Sequence, residues 1–369
     1  MKKLAISLGI VSFLVCLITT NIYAGNEQRA GQAGASQLLL NPWARSSGLG
    51  SSNVASVSGL EAVQINVAGT AFTNKTELMF VRTNWFKGSD INVNAFGLTQ
   101  KISETGAFSL SVVSLDFGNN QITTVDLPEG GIGNFHPQNT TIALSYANAF
   151  SNSIYGGMSV KIVNEAISDL SASGIALDAG IIYVTGIGKY KNDEKKTDNF
   201  RFGITLKNVG PTMKYKGDGL SFRGTPESSG VGMTVEQRSA DCELPSTLEM
   251  GVSYDIPTVV KADSTSKDVK ADQLLRLSTT FTSNSFTKDR FHFGLEYNIK
   301  NILLIRGGYS YETGVDKLET RIVAFTGPSV GASVQIPLND NGSVFSLDYS
   351  YRATENFAGC HSIGARISL

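Results

Sequence analysis

This chain of 369 residues has little of what soluble enzymes and nucleic-acid-binding proteins usually carry. It contains three His, three Cys, two Trp and nine Pro, and its 31 basic and 32 acidic side chains give a formal net charge of −1. This balance of charge argues against nucleic acid as a partner, because a nucleic-acid-binding domain usually shows a basic excess. Few prolines and 41% apolar residues predict an ordered chain rather than a disordered one.

Motifs of metal and phosphate chemistry are also missing. The three histidines, His136, His292 and His361, show no metal-ligand spacing, and the sequence has neither His-Glu-x-x-His nor Cys-x-x-Cys. The glycine clusters near residues 130 and 186 precede no predicted helix that could bind a phosphate. We therefore predict no catalytic residues, no metal, no cofactor and no nucleic-acid partner, and a protein that is not an enzyme.

Long apolar runs are absent after residue 24, so no transmembrane helix is predicted there. The one apolar stretch, Leu4 to Ile18, follows Lys2 and Lys3 and precedes a polar break that ends in Ala24. A basic start, a short apolar region and a small residue at the cleavage point are typical of a secretory signal peptide. We place this signal peptide at residues 1–24.

The periodicity of amphipathic helices is scarce in this sequence. Apolar and polar residues alternate strictly instead, which is the pattern of β-strands. Between residues 290 and 300, for example, His292, Gly294, Glu296 and Asn298 alternate with Phe291, Phe293, Leu295, Tyr297 and Ile299. The alternating segments run about ten residues, longer than typical strands of soluble sandwiches. Their polar face repeatedly carries full charges, which suits the lumen of a transmembrane barrel whose apolar face meets lipid. We therefore favour the barrel over a soluble sandwich.

Fourteen strands are predicted, at 76–86, 90–102, 105–117, 139–149, 153–164, 174–185, 200–208, 246–256, 273–283, 290–299, 302–312, 319–337, 343–352 and 360–369. An even number is typical of bacterial outer-membrane barrels. If the first strand rises from the periplasm, the long connections 118–138 and 209–245 lie at the cell surface. Two charged connections, 186–199 and 257–272, are long for periplasmic turns, and a missed hairpin would lie there.

Two strand irregularities are also predicted. In strand 105–117 the apolar phase slips between Val112 and Val113, which indicates a bulge. Gly327 and Pro328 interrupt the overlong strand 319–337, where a proline is tolerated only at an edge or a bulge.

The segment 25–75, which precedes the strands, fits no regular element. It is rich in Gly, Ala and Ser, yet it contains Trp43 and the three leucines 38–40, which an exposed linker would not carry. Between residues 31 and 74 its only charged side chains are Arg45 and Glu61. Small residues let a backbone pack closely against other backbones, so we predict that this segment is a plug inside a barrel formed by residues 76–369.

A plug followed by a fourteen-stranded barrel resembles the FadL-type outer-membrane family, whose amino-terminal hatch carries an Asn-Pro-Ala motif. Asn66, Ala68 and Gly69 stand in the matching stretch, and Val67 takes the place of the proline. The chain is more similar to the PorV and PorQ branch of that family. The residues that carry this likeness are Gly31 to Ala35 with Leu38, Ile65 and Asn66 with Ala68 and Gly69, and Phe80 to Trp85.

The resemblance implies an all-β fold, namely a 14-stranded antiparallel transmembrane β-barrel integral to the bacterial outer membrane, with a plug in its lumen. It also implies a non-enzymatic part in type IX protein secretion of Bacteroidota. In that family the barrel, embedded in outer-membrane lipid, binds the C-terminal domains of cargo that leaves the translocon barrel. It then passes the cargo to the sortase and other attachment-complex proteins at the cell surface. We expect cargo contacts in loops 118–138 and 209–245.

Two alternative functions stay open on the sequence alone. A FadL-type channel for hydrophobic small molecules would require a lateral opening and an apolar lumenal pocket. An outer-membrane lipid hydrolase would require a serine, a histidine and an orienting group on one face, for which His292, Ser278 and Glu296 are the candidates.

The two cysteines outside the predicted signal peptide, Cys242 and Cys360, predict a disulfide. Both lie on the extracellular side in the predicted topology, and secretion places them in an oxidising environment. The strands nearest to them are not neighbours in the barrel. Loop 209–245 would therefore have to fold across the mouth to bring the two Cα atoms within about 7 Å of each other.

Overall fold

Alternation of side chains decides which face of each strand points inward. On the strand Arg290–Ile299, Phe291, Phe293 and Leu295 are exposed, whereas His292 and Glu296 are buried. This distribution is the reverse of a soluble sheet protein, because the apolar face is outside and the polar face is inside. The same reversal recurs around the whole sheet, so the chain closes on its polar face.

The computed structural model of the chain describes residues 25–188, 198–225, 227, 230–260, 271–339 and 342–369. The predicted signal peptide, residues 1–24, lies outside the described residues. Among the described residues, no helix is long and apolar enough to cross a membrane.

Fourteen antiparallel strands close into a barrel, which confirms the predicted fold. Each strand pairs with its neighbours in the chain, and the last strand pairs with the first. The strands are β1 (Thr76–Asn84), β2 (Asn92–Lys101), β3 (Gly106–Asp116), β4 (Gln138–Ala149), β5 (Ile154–Ile167), β6 (Leu170–Thr185), β7 (Phe200–Val209), β8 (Thr247–Val260), β9 (Ala271–Asn284), β10 (Arg290–Ile299), β11 (Leu303–Glu312), β12 (Phe325–Pro337), β13 (Val344–Thr354) and β14 (Cys360–Ser368).

The two long periplasmic connections join strands that pair directly with each other. β6 pairs with β7, and β8 pairs with β9. Most of each connection, residues 189–197 and 261–270, lies outside the described residues. The strands that flank these connections occupy adjacent places in the barrel, so the strand order needs no further hairpin.

The bulge predicted in β3 is wrong. β3 pairs with both β2 and β4 without a register shift. The apparent slip arises because Val113 and Leu115 point inward and pack in an apolar cluster with Trp85 and Val93, at the outer end of the lumen. The bulge predicted at Gly327 and Pro328 is confirmed: the pairing of β12 with β13 shifts between Phe325 and Ser329.

The amino-terminal segment lies inside the barrel as a series of short helical turns. They are Glu27–Arg29, Ser36–Leu39, Ala44–Gly48, Gly59–Glu61, Ala62–Ile65 and Val67–Phe72. Nearly all side chains between residues 41 and 72 are buried, and they contact inward-facing residues of strands on all sides. The backbone carbonyls of Ser52, Gly50 and Gly48 accept hydrogen bonds from hydroxyl groups on β9, β11 and β12. We call residues 25–75 the plug.

The two longest described loops lie at the same end of the barrel, which the topology places at the cell surface. The loop of residues 117–137 contains a short hairpin, Asn120–Gln121 with Asn134–Phe135. The loop of residues 210–246 pairs at Tyr215–Lys216 with the outer end of β6, and then forms the hairpin Ser221–Gly224 with Met233–Glu236.

Candidate functional site: the plugged lumen and the outer cleft

Asn66 fixes the plug to the barrel wall. Its side-chain amide nitrogen donates to the backbone carbonyl of Ile181 on β6 at 3.2 Å and to that of Ile204 on β7 at 3.4 Å. The same nitrogen also lies 3.1 Å from the carbonyl oxygen of Val54 within the plug. The Asn66 Oδ1 accepts from the backbone N–H of Ala68 and so begins the turn Val67–Phe72. One side chain therefore links two strands and two parts of the plug.

Glycines make this close approach feasible. A Cβ atom at Gly180 on β6 would lie 2.1 Å from Asn66 Oδ1, and one at Gly203 on β7 would lie 2.7 Å from the Val54 carbonyl oxygen. Within the plug, a Cβ atom at Gly69 would lie 2.4 Å from the Val57 carbonyl oxygen. Asn66, Ala68 and Gly69 thus lie in a part of the plug that packs closely against other backbone segments, where small residues are favoured.

Ion pairs form a second connection between the plug and the wall. Arg45 of the plug lies 3.2 Å from Glu296 on β10, and Arg306 on β11 binds the same carboxylate at 2.5 Å. Arg276 on β9 lies 3.6 Å from Glu296 and binds Asp255 at 2.6 Å. Glu296 is only 2% exposed, so its charge depends on these three guanidinium groups rather than on water.

Glu61 is the other charged residue of the plug, and it is also part of this centre. It accepts a 2.5 Å hydrogen bond from the Ser46 hydroxyl, while its Oε1 has no hydrogen-bond partner among the residues that the structure describes. Burial raises the pKa of Glu61 above its usual value, although Arg45 partly opposes the shift. Burial acts to lower the pKa of Arg45, but Glu296 and the other nearby carboxylates outweigh burial and hold that pKa above its usual range.

A second buried ion pair lies where β6 and β7 are offset by a register shift. Lys161 on β5 binds Asp178 on β6 at 2.5 Å and donates to the Asn208 side chain at 3.1 Å. Asn208 adopts a left-handed backbone conformation, with φ of 60°, and its backbone N–H donates to Asp178. The register shift therefore turns Asn208 inward, where it hydrogen-bonds the lysine.

The residues considered for hydrolase chemistry are not assembled. His292 contacts the Ser310 hydroxyl at 2.9 Å, and that hydroxyl donates to the Gly50 carbonyl of the plug. Ser278 lies against Ser56, at 3.5 Å, and Glu296 is held by arginines. His292, Ser278 and Glu296, the candidates of the hydrolase alternative, each bind the plug or another wall residue instead of one another. In the described part of the chain, no cluster of three or more potential metal ligands is found.

A cleft of about 710 Å³ lies at the outer mouth, between the start of the plug and the surface loops. Its lining includes Gly31 to Ser36 of the plug, Phe117 and Phe135 of the first long loop, and Tyr215 and Cys242 of the second. Tyr215 donates a short hydrogen bond to Glu165 on β5. Burial raises the pKa of Tyr215, and the bond to Glu165 raises it further. We call this depression the outer cleft.

Both long loops also carry exposed apolar side chains. In the first loop they are Ile122, Val125, Leu127 and Ile132, and in the second they are Phe222, Val231 and Met233. Val125 is 99% exposed. Exposed apolar patches on loops above the membrane are typical of surfaces that bind another protein.

The predicted disulfide between Cys242 and Cys360 is wrong, because both thiols are free. Cys242 pairs through its backbone with Met213 and lies against Gly34 of the plug. Cys360 is buried at the start of β14 and accepts a hydrogen bond from the backbone N–H of Phe86. The second long loop folds back onto β6 and the plug, so Cys242 lies against the plug, whereas Cys360 belongs to the apolar cluster with Trp85 and Val93.

These features define an integral outer-membrane β-barrel whose lumen is occupied by its own amino-terminal segment. The chain belongs to the PorV family: its residues 23–234 match the family described as type IX secretion system protein PorV. No curated protein matches the chain at a significant level.

Solved structures with a similar fold are FadL-type barrels. The Pseudomonas putida toluene transporter TodX is 12% identical with a TM-score of 0.50, over 85% of this chain and 94% of TodX. A Pseudomonas aeruginosa FadL homologue is 13% identical with a TM-score of 0.49, over 89% of this chain and 96% of the homologue. The Ralstonia pickettii toluene transporter TbuX is 12% identical with a TM-score of 0.48, over 94% and 98% of the two chains. At such low identity, the likeness to TodX concerns the fold alone.

Proposed function

We propose that this protein is a non-enzymatic shuttle of type IX secretion. It would bind the C-terminal signal domain of cargo leaving the translocon barrel and deliver that cargo to the sortase and attachment complex at the cell surface. The family match over residues 23–234 carries this proposal. The contacts expected in loops 118–138 and 209–245 would then be made by the two long surface loops and the outer cleft between them.

Because the plug fills most of the lumen, a binding role is better supported than a channel role. Apart from the outer cleft, which opens at the mouth, the cavities between plug and wall are small, at about 10 and 80 Å³, and both have charged residues in their lining. A pocket for a small molecule is usually several hundred Å³ and mostly apolar. Each described strand also pairs with both of its neighbours around the barrel, which argues against a lateral opening for a hydrophobic molecule.

Loop shortening tests the proposal. The backbone N–H of Ile122 donates to the Gly133 carbonyl, and that of Gln237 donates to the Leu220 carbonyl, so each hairpin can be removed at a point that is already closed. We expect that replacing residues 123–132 or 221–236 with two glycines leaves a folded barrel in the membrane but prevents the attachment of cargo at the cell surface.

The measurement is surface labelling of cargo in cells that carry each variant. The shift in gel mobility between unheated and heated samples provides the control for barrel folding. If cargo is displayed normally when both hairpins are removed together, the shuttle proposal fails and the small-molecule channel becomes the better explanation.

A further inference from the structure

Glu165 is a buried carboxylate of the barrel wall that no described basic residue binds. It lies at the outer end of the inward face of β5 and is 7% exposed. Elsewhere on the wall such groups have basic partners: Glu249 lies 2.7 Å from Lys207, and Glu312 lies 2.7 Å from Arg290. Among the residues that the structure describes, Glu165 forms no ion pair, and its one hydrogen bond comes from a tyrosine hydroxyl.

Apolar surroundings limit the access of water to this carboxylate. Glu165 follows Val163 on the inward face of β5 and lies opposite Ala172 on β6. Both apolar residues belong to the cluster that includes Ala35 of the plug, against which Tyr215 packs. A charge in such surroundings attracts an opposite charge more strongly than it would in open water, and it is unfavourable while it stays unpaired.

The outer cleft opens onto this carboxylate. Among the described residues that line the cleft, Glu165 is the only one with a charged side chain. The rings of Phe117, Phe135 and Tyr215 also line the cleft, together with the mostly small residues 31–36 of the plug. The cleft therefore presents a single negative charge beside aromatic rings, which is a setting that favours a cationic ligand.

Basic residues of the chain near the cleft bind other groups. Lys214 lies 3.0 Å from Asp241 on the second long loop, and Arg29 of the plug lies 2.8 Å from Glu243. Lys216 ends the short strand that binds β6, and it points away from the face on which its tyrosine neighbour lies, because successive strand side chains alternate. We therefore expect the cation that pairs with the buried carboxylate to come from a ligand.

We propose that the outer cleft is a binding site for a lysine side chain, which an extended segment of a partner protein places against Glu165. The Tyr215 hydroxyl already donates to Oε2 of the carboxylate, so Oε1 is the oxygen left for a ligand. One free oxygen suits the compact ammonium of lysine, whereas the planar guanidinium of arginine binds best to both oxygens of a carboxylate. The apolar stem of lysine can lie along the aromatic rings of the cleft.

The inference rests on the proposed function and adds the chemistry of the cargo site. Under that function, the lysine belongs to the C-terminal domain of the cargo. A protein segment fits the site better than a free amine, because a second depression of about 510 Å³ shares Phe135 and Ile167 with the outer cleft. A segment whose lysine contacts Glu165 can continue over these two residues into the second depression, which Asp169 lines.

Cys242 provides a native handle for testing the site, because it lines the same cleft and is partly exposed, whereas Cys360 is buried. A short crosslinker that joins a thiol to an amine is attached to Cys242 on intact cells that secrete cargo. Mass spectrometry then identifies the lysine that the crosslinker reaches, and we expect a lysine of a secreted protein. Cys242→Ser, which lacks the thiol, defines the background. Coupling no higher than this background would overturn the proposal.

Glu165→Gln tests the role of the charge. The amide keeps the size of the side chain and can still accept from the Tyr215 hydroxyl, so the second long loop stays attached to β5. We expect coupling from Cys242 to fall at least about tenfold, because a charge-assisted hydrogen bond is lost. Asp116→Asn is the matched control: it also removes one negative charge at the outer end, beside His136, but Asp116 does not line the cleft. Equal coupling in the two variants would contradict the assignment.

Tyr215→Phe distinguishes the charge from the attachment of the loop. This variant loses the hydrogen bond between the second long loop and β5, but it leaves the carboxylate charged and both of its oxygens free. We expect coupling to stay within about threefold of the unaltered chain. The shift in gel mobility on heating shows that each variant barrel is folded. If Tyr215→Phe lowered coupling as much as Glu165→Gln, the shape of the loop would account for binding, and the lysine site would be refuted.

The lysine site and the shuttle function can fail separately. If Cys242 couples, in a manner that requires Glu165, to a lysine of a protein that is not secreted, the lysine site stands and the shuttle function fails. If cargo display requires the surface loops while Glu165→Gln leaves both coupling and display unchanged, the shuttle function stands and the lysine site fails.

Discussion

At the scale of single residues, the plug depends on a few side chains that serve several contacts each. Arg45 and Glu61, the only charges between residues 31 and 74, both belong to the ion-pair centre around Glu296. Their isolation in an otherwise uncharged segment is the sequence signal that would have located this centre. The partner strands could not be found that way, since strand pairing does not say which inward charge lies opposite a plug residue.

Asn66 is the residue whose loss should loosen the plug most selectively. We expect Asn66→Ala to lower the free energy of unfolding by about 1–3 kcal/mol, because buried carbonyl groups of the plug and of two strands lose a donor. Urea unfolding in detergent measures this change. Asn164→Ala is the control, since Asn164 also bonds a neighbouring strand but on the outward face, at Ser173. Equal losses in the two variants would refute a special role for Asn66.

Glu61 should make stability depend on pH. Its pKa is raised in the folded protein, so the folded state holds a proton that the unfolded state releases above pH 4.5. Stability from this group is therefore present below pH 4.5 and decreases as pH rises toward the folded pKa. We expect Glu61→Gln to unfold at a higher urea concentration than the unaltered chain at pH 7.5, with a smaller difference at pH 5. A larger gain at pH 5 would contradict the assignment.

At the scale of elements, alternation alone predicted all fourteen strands, because in a barrel every strand has one face in lipid and one in the lumen. The errors lie where that rule is broken. In β3, Val113 and Leu115 are apolar but inward, because the outer end of the lumen holds an apolar cluster instead of charges. In β12, the strand begins at Phe325 rather than at residue 319, because the preceding residues form turns.

The plug as an element should be shielded from reagents in the periplasm. In a chain whose native cysteines are replaced by serine, we expect Ser47→Cys to react slowly with a membrane-impermeant thiol reagent added to the periplasm, because Ser47 is 2% exposed inside the barrel. Ser58→Cys is also expected to react slowly. Ser151→Cys, in the exposed periplasmic turn between β4 and β5, provides the rapid control. Labelling of Ser47 and Ser58 variants at the control rate would place the plug outside the lumen.

At the scale of the whole molecule, plug and barrel form one packed unit. Apolar residues of the plug pack with Met79, Val81 and Ala95 on the inward face of β1 and β2. The sequence could predict a plug but not the path of its backbone through the lumen. That path depends on wall glycines such as Gly180 and Gly203, which no local sequence pattern distinguishes from the other strand glycines. A change in the plug is therefore expected to affect the part of the wall against which it packs.

Glu296→Gln should separate the plug from the wall. The substitution leaves Arg45, Arg306 and Arg276 buried with one carboxylate fewer, and removal of one partner from a buried ion pair typically costs about 3–5 kcal/mol. Arg45 belongs to the plug, so part of that cost can be relieved if the plug shifts and lets water enter. We expect lower resistance to urea together with greater uptake of a large hydrophilic dye by cells.

Glu312→Gln is the matched control for this prediction, because it breaks a wall ion pair with Arg290 at the outer end of β10 and β11 that includes no plug residue. It should lower resistance to urea without raising dye uptake. If both variants raised uptake equally, the leak would come from a weakened wall rather than a displaced plug. If neither did, the contacts of Asn66 with β6 and β7 would be sufficient to keep the lumen closed, and the ion pairs would contribute to stability alone.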